Sequence, residues 1–66
     1  MKVEGDEVFG ATYLGTGPVL GGHRAEIRRS DHLAYYLARF EGDLPKEIAG
    51  AWLRLPAYLF RIEELI

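Results

Sequence analysis

The stretch LAYYLARFEG, residues 33–42, decides between the two folds that the rest of the chain allows. If the stretch is a strand, its apolar alternate residues share one face: Ala34, Tyr36, Ala38 and Phe40. The residues between them then share the other face: Tyr35, Leu37, Arg39 and Glu41. If it is a helix, an equally continuous stripe forms, with Ser30 or Asp31 as cap and Gly42 as stop: Leu33, Tyr36, Leu37 and Phe40. Periodicity alone does not choose between the two.

The segment after Gly42 shows the same ambiguity. Residues 43–47 resemble a helix start, and a helical stripe follows near the end: Tyr58, Leu59, Ile62, Leu65 and Ile66. Gly50 and Pro56, however, interrupt what would otherwise be a long helix. We therefore predict an all-β protein. The alternative, which concerns residues 31–66, is an α+β fold with an N-terminal hairpin and C-terminal helices.

Glycine is concentrated in the first third of the chain: Gly5, Gly10, Gly15, Gly17, Gly21 and Gly22. Because glycine weakens a helix by about 1 kcal/mol per residue, this part predicts strands and turns. Residues 8–14 predict a first strand, in which Gly10 marks a bulge or a close backbone approach.

The next segments predict a hairpin and a second strand. Residues 15–18 form a turn, residues 19–20 resume an extended segment, and residues 21–22 supply a two-residue hairpin turn. Residues 23–29 alternate as a half-buried strand does. One face carries Arg24, Glu26 and Arg28, and the other carries Ala25 and Ile27.

Length and composition indicate one small folded domain, residues 1–66. Such a chain buries only about 60% of its unfolded surface. The chain is 48% hydrophobic and 27% charged, which is ordinary for a folded protein. The absence of cysteine excludes a disulfide and a cysteine-based zinc site, and it is typical of a reducing cytoplasm. The net charge of -2 argues against broad, charge-driven binding of nucleic acid.

The sequence gives weaker indications of the protein's targeting and of its source organism. No apolar run approaches the roughly 20 residues of a membrane helix, and residues 1–4 do not open a signal peptide, so we expect a cytoplasmic protein without a membrane partner. The chain has no Asn or Gln and six Arg against two Lys. That pattern is a tendency of thermophiles, which a GC-rich genome also produces. A short, lone chain is also typical of a phage-encoded or accessory regulator.

A spaced set of short motifs resembles the SH3-like small barrels, and among them the bacterial Tudor-like modules of repair helicases and RNA-polymerase-interacting domains. Residues 5–8 match an opening Gly-Asp-x-Val, and residues 15–19 match a Gly-x-Gly-x-Val turn. Residues 37–41 match a strand that ends in an aromatic residue and an acid, and residues 53–65 match a strand, a proline, a short turn and a last strand. Pro18 and the length of residues 42–51 depart from the pattern.

The resemblance implies one SH3-like barrel of about five strands with a short 3₁₀ turn. It also implies a small non-enzymatic binding module whose partner belongs to the transcription or repair machinery. Partly open barrels expose strand edges, so pairing along an edge is one mode of binding that we expect.

Catalytic and metal-binding chemistry find little support in the sequence. His23 and His32 would need a third ligand, from Glu26 or Asp31, to hold a metal. Ser30 neighbours Asp31 and His32, but adjacent residues point in different directions, so we expect Ser30 to cap a turn. Residues 15–17 lack the remainder of a phosphate-binding loop. We expect no enzyme, no metal and no cofactor.

The aromatic and arginine residues carry the binding prediction. Eight aromatic residues exceed what so small a core needs. We assign Tyr36, Phe40 and Leu53 to the core, which leaves an exposed aromatic patch: Tyr13, Tyr35, Trp52 and Phe60. Arginine and aromatic residues are the usual anchors of protein interfaces. The predicted binding residues are therefore Tyr13, Arg24, Arg28, Tyr35, Trp52 and Phe60.

Two alternatives to a protein partner stay open. Arg24 and Arg28 on one strand face, with aromatic rings that stack on bases, would suit a nucleic-acid-binding barrel, although Glu26 between them dilutes the field. A self-assembling structural protein, such as a ring or a dimer, is the other. The sequence leaves open whether Trp52 lies in the core or in an interface.

Overall fold

The computed structural model describes residues 7–66. Residues 5 and 6, the first half of the Gly-Asp-x-Val opening at residues 5–8, therefore lie outside the described residues. The described chain forms five strands: β1 (Phe9–Tyr13), β2 (Arg24–Arg29), β3 (Tyr35–Phe40), β4 (Leu53–Pro56) and β5 (Phe60–Leu65). The one helical element within residues 7–66 is a 3₁₀ turn, Ala57–Leu59, between β4 and β5. The all-β prediction and its short 3₁₀ turn are confirmed, and the α+β alternative is wrong.

The five strands form one antiparallel sheet in the order β4-β3-β2-β1-β5. Strands β1 to β4 follow one another as a meander, and β5 returns to pair with β1. β4 and β5 are the two edges, and the sheet is not closed by pairing between them. A barrel closed by hydrogen bonds is therefore not formed.

The alternation of β2 and β3 builds the core on one side of the sheet. Among residues 7–66, seven apolar side chains are buried: Phe9, Ala11, Ala25, Ile27, Ala38, Phe40 and Phe60. Large and small residues face each other across β2 and β3, since Ala25 pairs with Phe40 and Ile27 pairs with Ala38. This fit favours the strand over the helix in residues 33–42. Leu33, which belongs to the helical stripe, is instead 83% exposed.

Gly10 lies at the bulge that the sequence predicts. Gly10 is opposite Glu64 on β5 and Ala11 is opposite Ile62, so Glu63 is the extra residue. A Cβ atom on Gly10 would lie 3.0 Å from Arg24 Nη2 and 3.0 Å from Glu64 Oε1. The missing side chain therefore leaves room for these two residues to meet across β1.

The loop between β1 and β2 differs from the prediction in its middle. Residues 18–22 are turns, so the extended segment predicted at residues 19–20 is wrong. Gly21 N–H donates to Gly17 O at 3.3 Å, and His23 N–H donates to Leu20 O at 3.2 Å. Gly22, at φ +84°, takes the positive φ expected of the Gly-Gly turn. The glycines do form a turn, but within a longer loop.

The 3₁₀ turn runs between the two edges of the sheet and is fastened at both of its ends. Ala57 N–H donates to Ala34 O at 2.8 Å, and Leu14 N–H donates to Leu59 O at 2.6 Å. The segment therefore links the β2–β3 turn to the end of β1.

No helix within residues 7–66 has the length and apolar character to cross a membrane.

Candidate binding face on the outer side of the sheet

Four of the six predicted binding residues lie on the outer side of the sheet, away from the core: Arg24, Arg28, Tyr35 and Trp52. The guanidinium carbon of Arg28 lies 4.9 Å from the ring centroid of Trp52. Trp52 directly precedes β4, is half-buried, and lies outside the core cluster. Tyr35 begins β3 on the same side as Arg28, because the two residues alternate with the buried ones.

Two arginines that the sequence analysis did not select complete this side. Arg39 Cζ lies 4.7 Å from the Trp52 centroid, so this ring contacts two guanidinium groups. Arg54 Cζ lies 4.6 Å from the centroid of Tyr35. A cation over an aromatic face is worth about 0.5–1 kcal/mol at exposed sites. The rings thus hold the arginine side chains in defined positions.

The strand register places an apolar residue between two of these arginines. Leu37 on β3 pairs with Arg28 on β2 and with Arg54 on β4. Because neighbouring strands lie about 4.8 Å apart, the Cα atoms of the two arginines are about 10 Å apart, with Leu37 midway. We call this surface the arginine–aromatic face: Arg28, Tyr35, Leu37, Arg39, Trp52 and Arg54.

The carboxylates around the arginine–aromatic face neutralise it unevenly. Arg39 donates to Glu26 Oε1, with its Nε at 2.9 Å. Arg54 Nε lies 3.6 Å from Asp31 Oδ1, and the Asp31 side chain is 82% exposed, so this contact is loose. Within residues 7–66, Arg28 has no carboxylate partner. The face therefore keeps a positive character in a chain of net charge -2.

Arg24 lies on the same side but belongs to a different cluster. Its Nη2 lies 3.1 Å from Glu64 Oε1 and 3.2 Å from Glu63 Oε1. The hydrogen bond to Glu64 raises the pKa of Arg24. Hydrogen bonds from Thr12 and then from Arg61 lower the pKa of Glu63. These carboxylates neutralise Arg24, which the sequence analysis had placed with Arg28.

The structure corrects the exposure predicted for Tyr13 and Phe60. Phe60 is only 7% exposed and belongs to the core. The half-buried Tyr13 packs against the core, its ring centroid 5.1 Å from that of Phe40 and 5.4 Å from that of Phe60. Tyr13 and Phe60 pair across β1 and β5. Three of the buried core residues are alanines, Ala11, Ala25 and Ala38, and the large rings of Tyr13 and Phe60 fill space that these small side chains leave.

The predicted core residues are confirmed. Phe40 is buried, while Tyr36 and Leu53 are half-buried and pack against the core. Trp52 lies outside the core cluster, and its ring contacts two arginines of the outer side; its role in an interface stays a prediction.

The two histidines and Ser30 make local contacts with the backbone. His23 Nδ1 donates to Glu41 O at 2.7 Å, and His32 Nδ1 accepts from Ala34 N–H at 3.0 Å. The two rings flank opposite ends of β2. Ser30 Oγ donates to Tyr35 O at 2.6 Å and accepts from His32 N–H at 3.1 Å, so Ser30 caps the turn as predicted. Residues 7–66 contain no group of three His, Asp or Glu arranged for a metal ion.

Simple alternation would have found the residues that the sequence analysis missed. Leu37 and Arg39 follow Tyr35 at intervals of two along β3, and Arg54 follows Trp52 at the same interval.

No family model, no curated protein and no solved structure matches the chain. The likeness to SH3-like and Tudor-like modules stays a prediction.

Proposed function

We propose that this chain is a small protein-binding module that engages its partner through the arginine–aromatic face. The observation that carries the proposal is the set of three guanidinium groups, on Arg28, Arg39 and Arg54, held over two aromatic rings on one solvent-facing side of the sheet. Arginine and aromatic residues that stand together on a rigid surface are typical anchors of protein interfaces. On the resemblance to Tudor-like modules, we place the partner in the transcription or repair machinery.

The edges of the sheet are less suited to pairing with a partner than its outer side is. β4 has four residues and ends in Pro56, which has no N–H to donate. β5 is longer, but its bulge at Glu63 and its charged residues Arg61 and Glu64 are features that discourage pairing along an edge. The arginine–aromatic face is therefore favoured over the predicted strand edge as the place of binding.

The test compares two neighbouring arginines on opposite sides of one strand. Arg28 lies on the arginine–aromatic face, and Arg29, also exposed, points to the other side. Tagged wild-type, Arg28→Gln and Arg29→Gln proteins are used to capture partners from lysate after nuclease treatment, with quantification by mass spectrometry. We expect Arg28→Gln to lose the partners that wild type and Arg29→Gln retain. Equal capture by all three proteins would refute the proposal.

A nucleic-acid-binding role is the second candidate, and one observation favours it. Arg28 beside Trp52, and Arg54 beside Tyr35, combine a cation with a ring on which a base can stack. That role predicts partners that disappear with nuclease and an affinity that falls steeply with salt. Glu26 and Asp31, which lie against two of the three arginines, weigh against it.

A further inference from the structure

We infer that the arginine–aromatic face recognises an acidic peptide in extended form, with an apolar side chain between two carboxylates. This inference rests on the proposed function and specifies the chemistry of the partner. The feature that carries it is the row Arg28, Leu37, Arg54, which crosses three adjacent strands in register.

The arginines at the two ends of this row are suited to bind carboxylates. Trp52 supports Arg28 from one side, and Tyr35 supports Arg54. A guanidinium that stacks on a ring keeps its in-plane N–H groups available, and these groups match the two oxygens of a carboxylate. The contact of Arg54 with Asp31 is loose, because the two charged groups are 3.6 Å apart and well exposed, so an incoming carboxylate displaces it at little cost.

The middle of the row matches an apolar side chain. Leu37 is half-buried between the two arginines, on the side of the sheet opposite to the core. In an extended peptide, alternate residues point to the same side and are about 6.7 Å apart. A Glu-x-Leu-x-Glu sequence therefore presents a leucine flanked by two carboxylates about 13 Å apart. The Cα atoms of the two arginines are only about 10 Å apart, but the arginine side chains are long enough to reach both carboxylates.

The same row favours a peptide over nucleic acid. A phosphodiester strand would satisfy the arginines, but it would place a charged, hydrated backbone over Leu37. An acidic peptide with a central apolar residue satisfies all three members of the row.

The experiment uses the single tryptophan of the chain as its probe. Because Trp52 lies against Arg28, binding at that arginine changes its fluorescence. The protein is titrated with the peptide Gly-Ser-Glu-Ser-Leu-Ser-Glu-Ser-Gly, with a matched peptide in which Gln replaces Glu, and with a short oligothymidine. We expect the acidic peptide to bind at least about tenfold more tightly than the Gln peptide, since charge-assisted hydrogen bonds are lost.

Protein variants assign the binding to the row. Arg28→Gln and Arg54→Gln each weaken binding of the acidic peptide by about tenfold, while Arg29→Gln leaves it within about twofold. The double charge reversal, Arg28→Glu with Arg54→Glu, should favour a peptide in which Lys replaces Glu. Circular dichroism confirms that each variant is folded.

The outcomes separate the inference from the proposed function. Equal binding of the acidic and Gln peptides, equal effects of Arg28→Gln and Arg29→Gln, or binding of oligothymidine alone would each overturn the inference. If the acidic peptide fails to bind but capture from lysate still depends on Arg28, the proposed function stands and the acidic-peptide inference is wrong. If substitution of Arg28 changes neither peptide binding nor capture from lysate, both the inference and the proposed function are wrong.

Discussion

Arg24 and Glu64 meet over the backbone of Gly10, with 3.1 Å between Arg24 Nη2 and Glu64 Oε1. The two residues belong to β2 and β5, which lie on either side of β1. The contact therefore spans three strands, and it depends on the one residue of β1 that has no side chain.

Substituting Gly10 tests this dependence. Gly10→Ala places a methyl group 3.0 Å from Glu64 Cγ and from both charged ends of the pair, so we expect a loss of roughly 1 kcal/mol in unfolding free energy. The control is the same change in a Glu64→Ala background, where two of the three contacts are absent. Urea unfolding should show a smaller loss there, and an equal loss in both backgrounds would contradict the close approach.

Glu63 should contribute to stability in a pH-dependent way. Hydrogen bonds from Thr12 and Arg61 lower the pKa of Glu63 in the folded chain from its ordinary value of 4.5. The stabilising effect is therefore complete above that value and is lost as the pH falls through the lowered pKa. Glu63→Gln should make thermal stability less sensitive to pH below about pH 5, whereas Glu47→Gln, at an exposed position between β3 and β4, should not. Identical acid profiles of wild type and Glu63→Gln would refute this.

Two neighbouring aromatic residues should differ sharply in their cost of removal. Phe60 is 7% exposed and Tyr58 is 80% exposed. Phe60→Ala removes a core ring that contacts Tyr13, Tyr36 and Phe40, and we expect it to cost about 3–5 kcal/mol. Tyr58→Ala should change stability by no more than about 0.5 kcal/mol. Chemical unfolding of both variants measures the difference, and similar costs would show that the core is misplaced.

Substitutions of Gly42 and Gly50 distinguish the stability cost of backbone strain from the cost of a steric contact. Both have positive φ, +100° and +77°. A Cβ on Gly42 would lie 2.9 Å from His23 Nδ1, the atom that donates to Glu41 O, whereas a Cβ on Gly50 meets nothing within 4 Å. Gly50→Ala should cost about 1 kcal/mol from strain alone, and Gly42→Ala should cost more. In a His23→Ala background the two glycine substitutions should become equivalent.

The strands were predictable because their alternation is regular. Arg24 to Arg28 and Tyr35 to Phe40 each have one apolar and one mainly polar face, and the bulge at Gly10 follows from a glycine inside a strand. The segment at residues 19–20 was not predictable, because two apolar residues between glycine turns fit a strand and a wide loop equally well. Local backbone hydrogen bonds within the loop decide that choice: Gly21 N–H to Gly17 O and His23 N–H to Leu20 O.

The candidate site was predictable only in part. Arg28, Tyr35 and Trp52 were selected for their chemistry and lie on the same side of the sheet, with Arg28 in contact with Trp52. Tyr13 and Phe60 were selected for the same chemistry, yet they fill the inner side of the sheet. Residue type does not tell which side of the sheet an aromatic ring occupies. That depends on register, which pairs Tyr13 with Phe60 across strands far apart in sequence.

The pairing of β1 with β5 also governs when this sheet can form. Phe9 pairs with Leu65, so β1, the first strand of the meander, has no partner on this flank until β5 is available. Such contacts between distant parts of a chain give a high contact order and slow folding. During translation, β1 exposes an unpaired flank until β5 has emerged from the ribosome, so the native sheet is completed only after synthesis has passed Leu65.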